Sequence, residues 1–135
     1  MNNPEKKLQD LSPQEIFDRV AAHLRRQKAP SMRYNYAENG ELCAYRGDGG
    51  LKCAAGALIS DDLYDPEMDA KGVGWSTLVR SYPELDTKYN ALIMDLQDVH
   101  DGANPRKFLR EVEKRLLEVA ENHGLQYTAP IELMS

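Results

Sequence analysis

The chain has 135 residues, with 17 Lys and Arg against 22 Asp and Glu, which gives a formal net charge of -5 near neutral pH. Hydrophobic residues make up 41% of the chain and charged residues 29%, a composition typical of a globular domain and not of a disordered chain. No apolar run reaches the roughly 18 residues that cross a bilayer, and the acidic balance argues against a nucleic-acid binder that works by neutralising phosphates.

The first predicted helix begins at a capping box. Ser12 is the expected N-cap, Pro13 the first helical residue, and Glu15 the residue that hydrogen-bonds back to the cap. Apolar residues then recur at helical spacing until Pro30, which ends the helix by about Ala29. The expected buried stripe comprises Ile16, Phe17, Val20, Ala21 and Leu24.

The next segment carries a turn signal. Residues 31–40 show no clear period and are expected to form a loop. Asp48-Gly49 is typical of a type I′ turn, and it predicts a β-hairpin over about 42–54, with strands near 42–46 and 51–54.

The remaining elements are predicted to be helical. The small residues 54–57 within 53–59 could continue the strand or start a helical turn, of which we favour the turn. Ser60 caps one further turn that ends at Asp65-Pro66. A loop is expected over 66–74. Three helices follow: a short one over 76–82, one over about 89–100 that Asp86 or Thr87 caps and Gly102 ends, and a last one that Asn104 caps, Pro105 begins and Gly124 ends.

These elements together predict a mainly α-helical α+β fold with three substantial helices, short helical turns and one small β-hairpin. The chain is expected to be a single domain over residues 1–135, with a flexible N-terminus at 1–10 and a C-terminal tail at 125–135.

Two cysteines and a histidine are the candidates for chemistry. In the hairpin register set by a two-residue turn, Cys43 and Cys53 point to opposite faces, which argues against a disulfide or a shared metal; a three-residue loop with a bulge would bring them face to face. Cys53 at the start of a helical turn, with His100 and Asp101, could also form a nucleophile, base and orienting carboxylate. The simpler interpretations are a buried cysteine and an imidazole that caps a helix end.

A surface interpretation competes with this chemistry. Tyr45 and Lys52 lie directly opposite each other in the predicted hairpin, and Arg46 lies beside them, so the three could form a rigid contact patch. The alternative is a hairpin in which Tyr45 is half-buried and docks against the helices. A third hypothesis, an acidic mimic of nucleic acid, would use the cluster Asp61, Asp62, Asp65, Glu67 and Asp69.

Several of these residues fall in a pattern that resembles a family of small uncharacterised proteins of bacteriophages and proteobacterial prophages. The matching segments are Cys43-Ala44-Tyr45-Arg46, Lys52-Cys53-Ala54-Ala55-Gly56-Ala57-Leu58-Ile59 with Asp61, and Leu96-Gln97 with His100-Asp101. The likeness extends from the first helix to the fourth and covers most of the chain. It implies a phage-type accessory protein made inside a bacterial cell, and it assigns no activity and no catalytic residue.

The sequence therefore favours a cytoplasmic, non-enzymatic protein without a cofactor or metal, which binds a host or phage protein through the hairpin residues Tyr45, Arg46 and Lys52. The N-terminus lacks the apolar core of a secretory signal, and two cysteines are too few for a disulfide framework. The alternative is a small enzyme or metal-binding protein that uses Cys43 or Cys53 with His100 and Asp101.

Overall fold

The computed structural model describes residues 8–29, 31–35, 40–43, 45–47, 50–70, 74–103 and 105–127. In this part of the chain the fold is mainly helical. The helices are α1 (Pro13–Gln27), α2 (Glu67–Ala70), α3 (Trp75–Ser81), α4 (Asn90–Gly102) and α5 (Phe108–His123). Two four-residue strands, β1 (Met32–Asn35) and β2 (Gly40–Cys43), pair antiparallel, with Met32 opposite Cys43.

The predicted α+β fold class, with its hairpin over about 42–54, is wrong. Helices build the architecture, and the short β1–β2 ribbon begins in the stretch that was expected to be a loop and ends at Cys43. Inside the predicted hairpin, the described pairing is one isolated bridge between Arg46 and Lys52, so Tyr45 does not lie opposite Lys52. The predicted turn at Asp48-Gly49 lies outside the described residues.

Side chains from two helices hold the backbone of the described residues 52–55, part of which was predicted to form the second strand. Gln27 of α1 accepts a hydrogen bond from the Lys52 backbone N–H and donates one to the Lys52 carbonyl, both at 2.8 Å. Gln97 of α4 accepts from the Ala55 N–H at 2.8 Å. Backbone groups need a partner when they leave water, and here glutamine amides provide the partner that a neighbouring strand would have provided.

The prediction for α1 is confirmed. Ser12 and Glu15 form the capping box, Pro13 is the first helical residue, and the helix ends at Gln27 with Lys28 in the left-handed conformation, at φ 62°. A residue in this conformation commonly ends a helix. The predicted stripe is buried: Ile16, Phe17, Val20, Ala21 and Leu24 are each 4% exposed or less.

The later helices follow the predicted stripes but not all the predicted caps. Tyr89 is the N-cap of α4, not Asp86 or Thr87, and α5 begins at Phe108 after a 3₁₀ turn at Pro105–Lys107. The predicted cap Asn104 lies outside the described residues. Gly124, at φ 67°, ends α5 as predicted.

The structure also tests the predictions for the shorter segments. Residues 53–59 contain the expected helical turn, a 3₁₀ turn at Gly56–Leu58, and α3 matches the short helix predicted over 76–82. The loop predicted over 66–74 instead contains α2 at Glu67–Ala70. The N-terminal segment expected to be flexible includes a 3₁₀ turn at Leu8–Asp10 with Leu8 buried.

The core lies where α1 packs against α4, α5 and the Gly56–Leu58 turn, and where α4 packs against α5. Its largest fully buried side chains include Phe17, Met68, Ile93 and Leu96. Because the turn at Gly56–Leu58 packs directly on α1, the chain leading into it is fixed to the helical core. In the described residues no helix combines the length and the apolar character needed to cross a membrane.

Candidate functional site

The candidate site is built around a loop that the helices hold in place. We call the described residues between Tyr45 and Ile59 the pinned loop. It contains Cys53 and the three predicted contact residues, and it lies against the end of α4 that carries His100 and Asp101.

His100 is buried at the last turn of α4, with its side chain fully removed from solvent. Its Nε2 accepts a hydrogen bond from the Ser31 backbone N–H at 2.7 Å, so Nε2 is the unprotonated ring nitrogen. Its Nδ1 therefore carries the proton and donates to Asp101 Oδ1 at 2.8 Å. Both ring nitrogens are engaged inside the protein, which leaves His100 no lone pair for removing a proton from a nucleophile.

Cys53 lies close to this pair without forming a catalytic arrangement with it. The side chain is 1% exposed, and its sulfur accepts a hydrogen bond from the Gly56 N–H at 3.3 Å. Burial, with a smaller contribution from the negative charge of Asp101, raises the pKa of the Cys53 thiol to about 12. A thiol with this pKa is protonated at neutral pH, whereas a nucleophilic cysteine needs its thiolate.

Gln97 is the residue that ties these groups together. Its Nε2 donates to Asp101 Oδ1 at 2.7 Å, and its Oε1 accepts from Ala55 of the pinned loop. Asp101 thus accepts from both Gln97 and His100. The structure therefore places Cys53 near Asp101 and His100, as the enzyme interpretation requires, but Cys53 bonds within the loop to Gly56, and Gln97 is the residue that fixes the loop to α4. Cys43 lies in β2, and its side chain is outside the description.

Of the three predicted contact residues, Tyr45 is the most buried, at 9% exposed. Its backbone N–H donates to Asp69 Oδ1 at 2.7 Å, and the next amide, of Arg46, donates to Asp69 Oδ2 at 3.1 Å. Tyr64 donates its hydroxyl to the same carboxylate at 2.5 Å. Burial also raises the pKa of the Tyr45 hydroxyl. Tyr45 therefore docks the loop against the protein, which was the alternative interpretation of this residue.

Arg46 is engaged within the protein as well. Its guanidinium donates to Asp61 Oδ1 at 2.8 Å and to the Ile59 carbonyl at 2.9 Å, and it lies 4.6 Å from the centre of the Tyr64 ring. The hydrogen bond from Arg46 and the nearby charge of Lys52 lower the pKa of Asp61. The side chain is 21% exposed, so Arg46 closes the loop onto residues 59–64 and shows one edge to solvent.

Lys52 presents its charge to the surface from a fixed backbone. Gln27 holds both its N–H and its carbonyl, and His23 Nε2 donates to the same carbonyl at 2.9 Å. Burial lowers the pKa of His23. The Lys52 side chain is 34% exposed, and its ammonium lies 3.9 Å from Asp61 Oδ1. Lys52 is thus the predicted contact residue with the most accessible polar group.

The acidic cluster proposed as a nucleic-acid mimic does not form a uniform acidic face. Asp69 accepts from the loop amides, and Asp65 accepts from the Tyr82 hydroxyl at 3.2 Å and from the Glu67 N–H at 3.0 Å. Asp61 pairs with Arg46. Three of the five carboxylates are therefore engaged in contacts within the protein, which does not favour the mimic hypothesis.

An ion pair with a buried carboxylate, between Arg25 and Glu113, was not predicted from the sequence. Glu113 of α5 is 3% exposed and accepts from Arg25 Nε of α1 at 2.8 Å, and the Tyr127 hydroxyl also bonds to it. The signal was present, because Glu113 follows Val112 and precedes Leu116 by three residues, on the buried side of the helix. This pair joins α1, α5 and the start of the C-terminal tail.

Neither a metal site nor a known relative informs the function. In the described ranges, no group of three or more His, Cys, Asp or Glu side chains is arranged to hold a metal ion. Comparisons with protein-family models, with curated proteins and with solved structures find no match.

Proposed function

We propose that this chain is a non-enzymatic accessory protein of the phage type, which works in the bacterial cytoplasm and binds a host or phage protein through the surface of the pinned loop. The resemblance of the loop and α4 motifs to small phage and prophage proteins supports the biological setting. Cys53, a buried free thiol, is compatible with a reducing compartment.

The observation that carries this proposal is the way the loop is held. Asp69, Gln27 and Gln97 engage its backbone from three different parts of the fold, which fixes the surface around Lys52 before any partner arrives. A pre-organised surface loses little conformational entropy on binding, and this is one of the main ways in which a small interface gains affinity.

The surface next to the loop supplies charge and an apolar contact. Arg46 and Lys52 face the Asp61 carboxylate, which is 82% exposed. Leu63 follows Asp61 by two residues and is 39% exposed. Its N–H donates to the Ser60 carbonyl and closes a turn there. Charged residues of both signs beside an exposed leucine are suited to a protein partner more than to a polyanion.

The alternative, an enzyme or metal-binding protein that uses Cys53, His100 and Asp101, is less well supported by the geometry. The thiol is buried and protonated, and the two nitrogens of the imidazole are occupied by Ser31 and Asp101. A substrate would have to displace backbone contacts of the pinned loop to reach either group.

Affinity capture with charge variants tests the proposal. The immobilised wild-type protein and Lys52→Glu would be incubated with lysate from phage-infected proteobacteria, and bound proteins would be quantified by mass spectrometry. Lys52→Glu reverses one exposed charge and keeps the backbone that Gln27 holds, so its circular dichroism and melting temperature should match those of the wild type. We expect a stoichiometric partner on the wild type and its loss from Lys52→Glu.

Lys88→Glu is the matched control, because Lys88 is an exposed lysine between α3 and α4, outside the pinned loop. It should retain the partner. Failure of the wild type to retain any partner, or equal retention by Lys52→Glu, would contradict the proposal.

A further inference from the structure

Arg46 is held so that one end of its guanidinium reaches the surface. Its Nη2 donates to the Ile59 carbonyl at 2.9 Å, and the planar group lies 4.6 Å from the centre of the Tyr64 ring. Its backbone N–H donates to Asp69 at 3.1 Å. Because these contacts orient the side chain, Nη1 is presented to Asp61, whose side chain is 82% exposed.

Asp61 satisfies this end of the guanidinium incompletely. A single oxygen, Oδ1, accepts from Arg46 Nη1 at 2.8 Å, so the pair lacks the two parallel bonds that an arginine and a carboxylate can form. The Lys52 ammonium lies 3.9 Å from the same oxygen, which is beyond hydrogen-bond distance. Among the described residues, the buried Nε–H of Arg46 has no partner either. An ion pair this exposed contributes little to stability, so another carboxylate can replace it at small cost.

The cations around Lys52 outnumber the carboxylate that they face, although the chain as a whole carries a net charge of -5. Arg46 and Lys52 share the one carboxylate of Asp61. His23 donates to the Lys52 carbonyl, and its pKa is lowered by burial and, to a smaller extent, by the positive charges of Lys52 and Arg26. This part of an acidic chain therefore attracts an anion.

From these contacts we propose that Arg46 and Lys52 form a binding site for a carboxylate side chain of the partner, in the position that Asp61 holds in the free protein. The partner's carboxylate bonds Arg46 with one oxygen and Lys52 with the other, so that Lys52 gains the hydrogen bond that Asp61 does not give it. Because the partner supplies the carboxylate, this assignment rests on the proposed function, and it makes the partner acidic where it meets the pinned loop.

Short peptides test the site without the partner. The probe is acetyl-Gly-Glu-Gly-amide, which has one carboxylate and no charged terminus, and acetyl-Gly-Gln-Gly-amide is its uncharged control. Binding at low salt is followed by NMR through the Nε–H signal of Arg46 and the backbone amide of Lys52. We expect the wild type to bind the glutamate peptide and not the glutamine peptide. Asp61→Asn should bind the glutamate peptide about two- to fivefold more tightly, because the internal competitor is gone.

Asp62→Asn is the matched control, because it removes the same charge from the neighbouring exposed residue. It should bind the glutamate peptide as the wild type does. Lys52→Gln should lose the preference for the glutamate peptide over the glutamine peptide. Asp61→Asn and Asp62→Asn are surface substitutions and should keep the wild-type melting temperature.

Equal affinities of Asp61→Asn and Asp62→Asn would show a response to net charge alone and would overturn the proposed site. Equal binding of the two peptides would do the same. Tighter binding of acetyl-Gly-Gly-Gly, whose only carboxylate is its C-terminus, would contradict a side chain as the source of the carboxylate. A partner captured through Lys52 while the glutamate peptide does not bind would refute the carboxylate site alone, whereas peptide binding without a captured partner would contradict only the proposed function.

Discussion

Gly56 offers a stringent test of the way in which the pinned loop packs. A β-carbon built on Gly56 would lie 2.1 Å from the backbone carbonyl oxygen of Tyr45, far inside van der Waals contact. The carbonyl cannot withdraw easily, because the N–H of Tyr45 is bound to Asp69 and its side chain is buried. Gly56 itself is held by its N–H bond to Cys53. The substitution Gly56→Ala therefore forces two fixed backbone segments apart.

The expected cost follows from overpacking of a core that cannot relax. An extra methyl or methylene group in a well-packed site lowers the free energy of unfolding by about 1–3 kcal/mol. Because the new methyl group would clash with fixed backbone, we take the upper limit, about 3 kcal/mol. Unfolding entropy of about 2.1 cal/mol/K per residue gives about 0.28 kcal/mol/K for 135 residues. We therefore expect the melting temperature of Gly56→Ala to fall by about 10 °C.

Gly74→Ala is the matched control. Gly74 precedes α3, and a β-carbon there would have no atom within 4 Å. Alanine is a poorer N-cap than glycine but restricts the unfolded chain, so the two effects should leave stability within about 1 kcal/mol of the wild type. Both variants would be unfolded in urea and by heat. Equal midpoints for Gly56→Ala and Gly74→Ala would refute the close approach of residues 56 and 45.

Three further predictions concern buried polar groups. Glu113→Ala removes the buried carboxylate that Arg25 and Tyr127 bind and should destabilise by about 1–3 kcal/mol in urea unfolding, whereas Glu84→Ala, at an exposed position, should change stability by less than about 0.5 kcal/mol. Gln27→Ala removes both bonds to the Lys52 backbone and should cost about 1–3 kcal/mol; an unchanged midpoint would show that the loop is held by other contacts. Burial raises the pKa of the Cys53 thiol in the folded protein to about 12, from its ordinary value of 9.0. The folded state therefore loses stability as pH rises from 9 towards 12, by up to about 1.4 kcal/mol per pH unit, and Cys53→Ala should flatten this part of the stability profile.

The helices could be predicted because their signals are local. The capping box at Ser12 and the left-handed end at Gly124 each depend on residues within one turn, and the apolar stripes repeat at the helical period. The hairpin prediction failed for the opposite reason. Asp48-Gly49 is a local turn signal, whereas the partners of the flanking backbone depend on residues far away in the chain. Here Gln27, 25 residues before Lys52, takes both of its backbone groups.

The same distinction applies to the candidate site. Cys53, His100 and Asp101 could be selected from the sequence because their side chains are capable of chemistry, and the structure does place them in one region. Whether these residues can catalyse a reaction depends on the atoms to which they bond, and some of those atoms belong to residues far away in the sequence. Ser31, 69 residues before His100, occupies the ring nitrogen that a catalytic base would need.

Cys53, His100 and Asp101 resemble a catalytic set, but their bonds are to other parts of the pinned loop and its surroundings. The proposed function therefore rests on the exposed surface of the loop. Burial raises the pKa of the Cys53 thiol because its thiolate would lose hydration, and the same burial makes the sulfur a suitable acceptor for the Gly56 N–H inside a tight turn. Gln97 completes the support by bonding both Ala55 of the loop and Asp101 of α4. Among the charged side chains in the described part of the loop, Lys52, beside Asp61, is more exposed than Arg46. A role for the loop is therefore expressed through what that surface contacts, and the charge reversal at Lys52 addresses it directly.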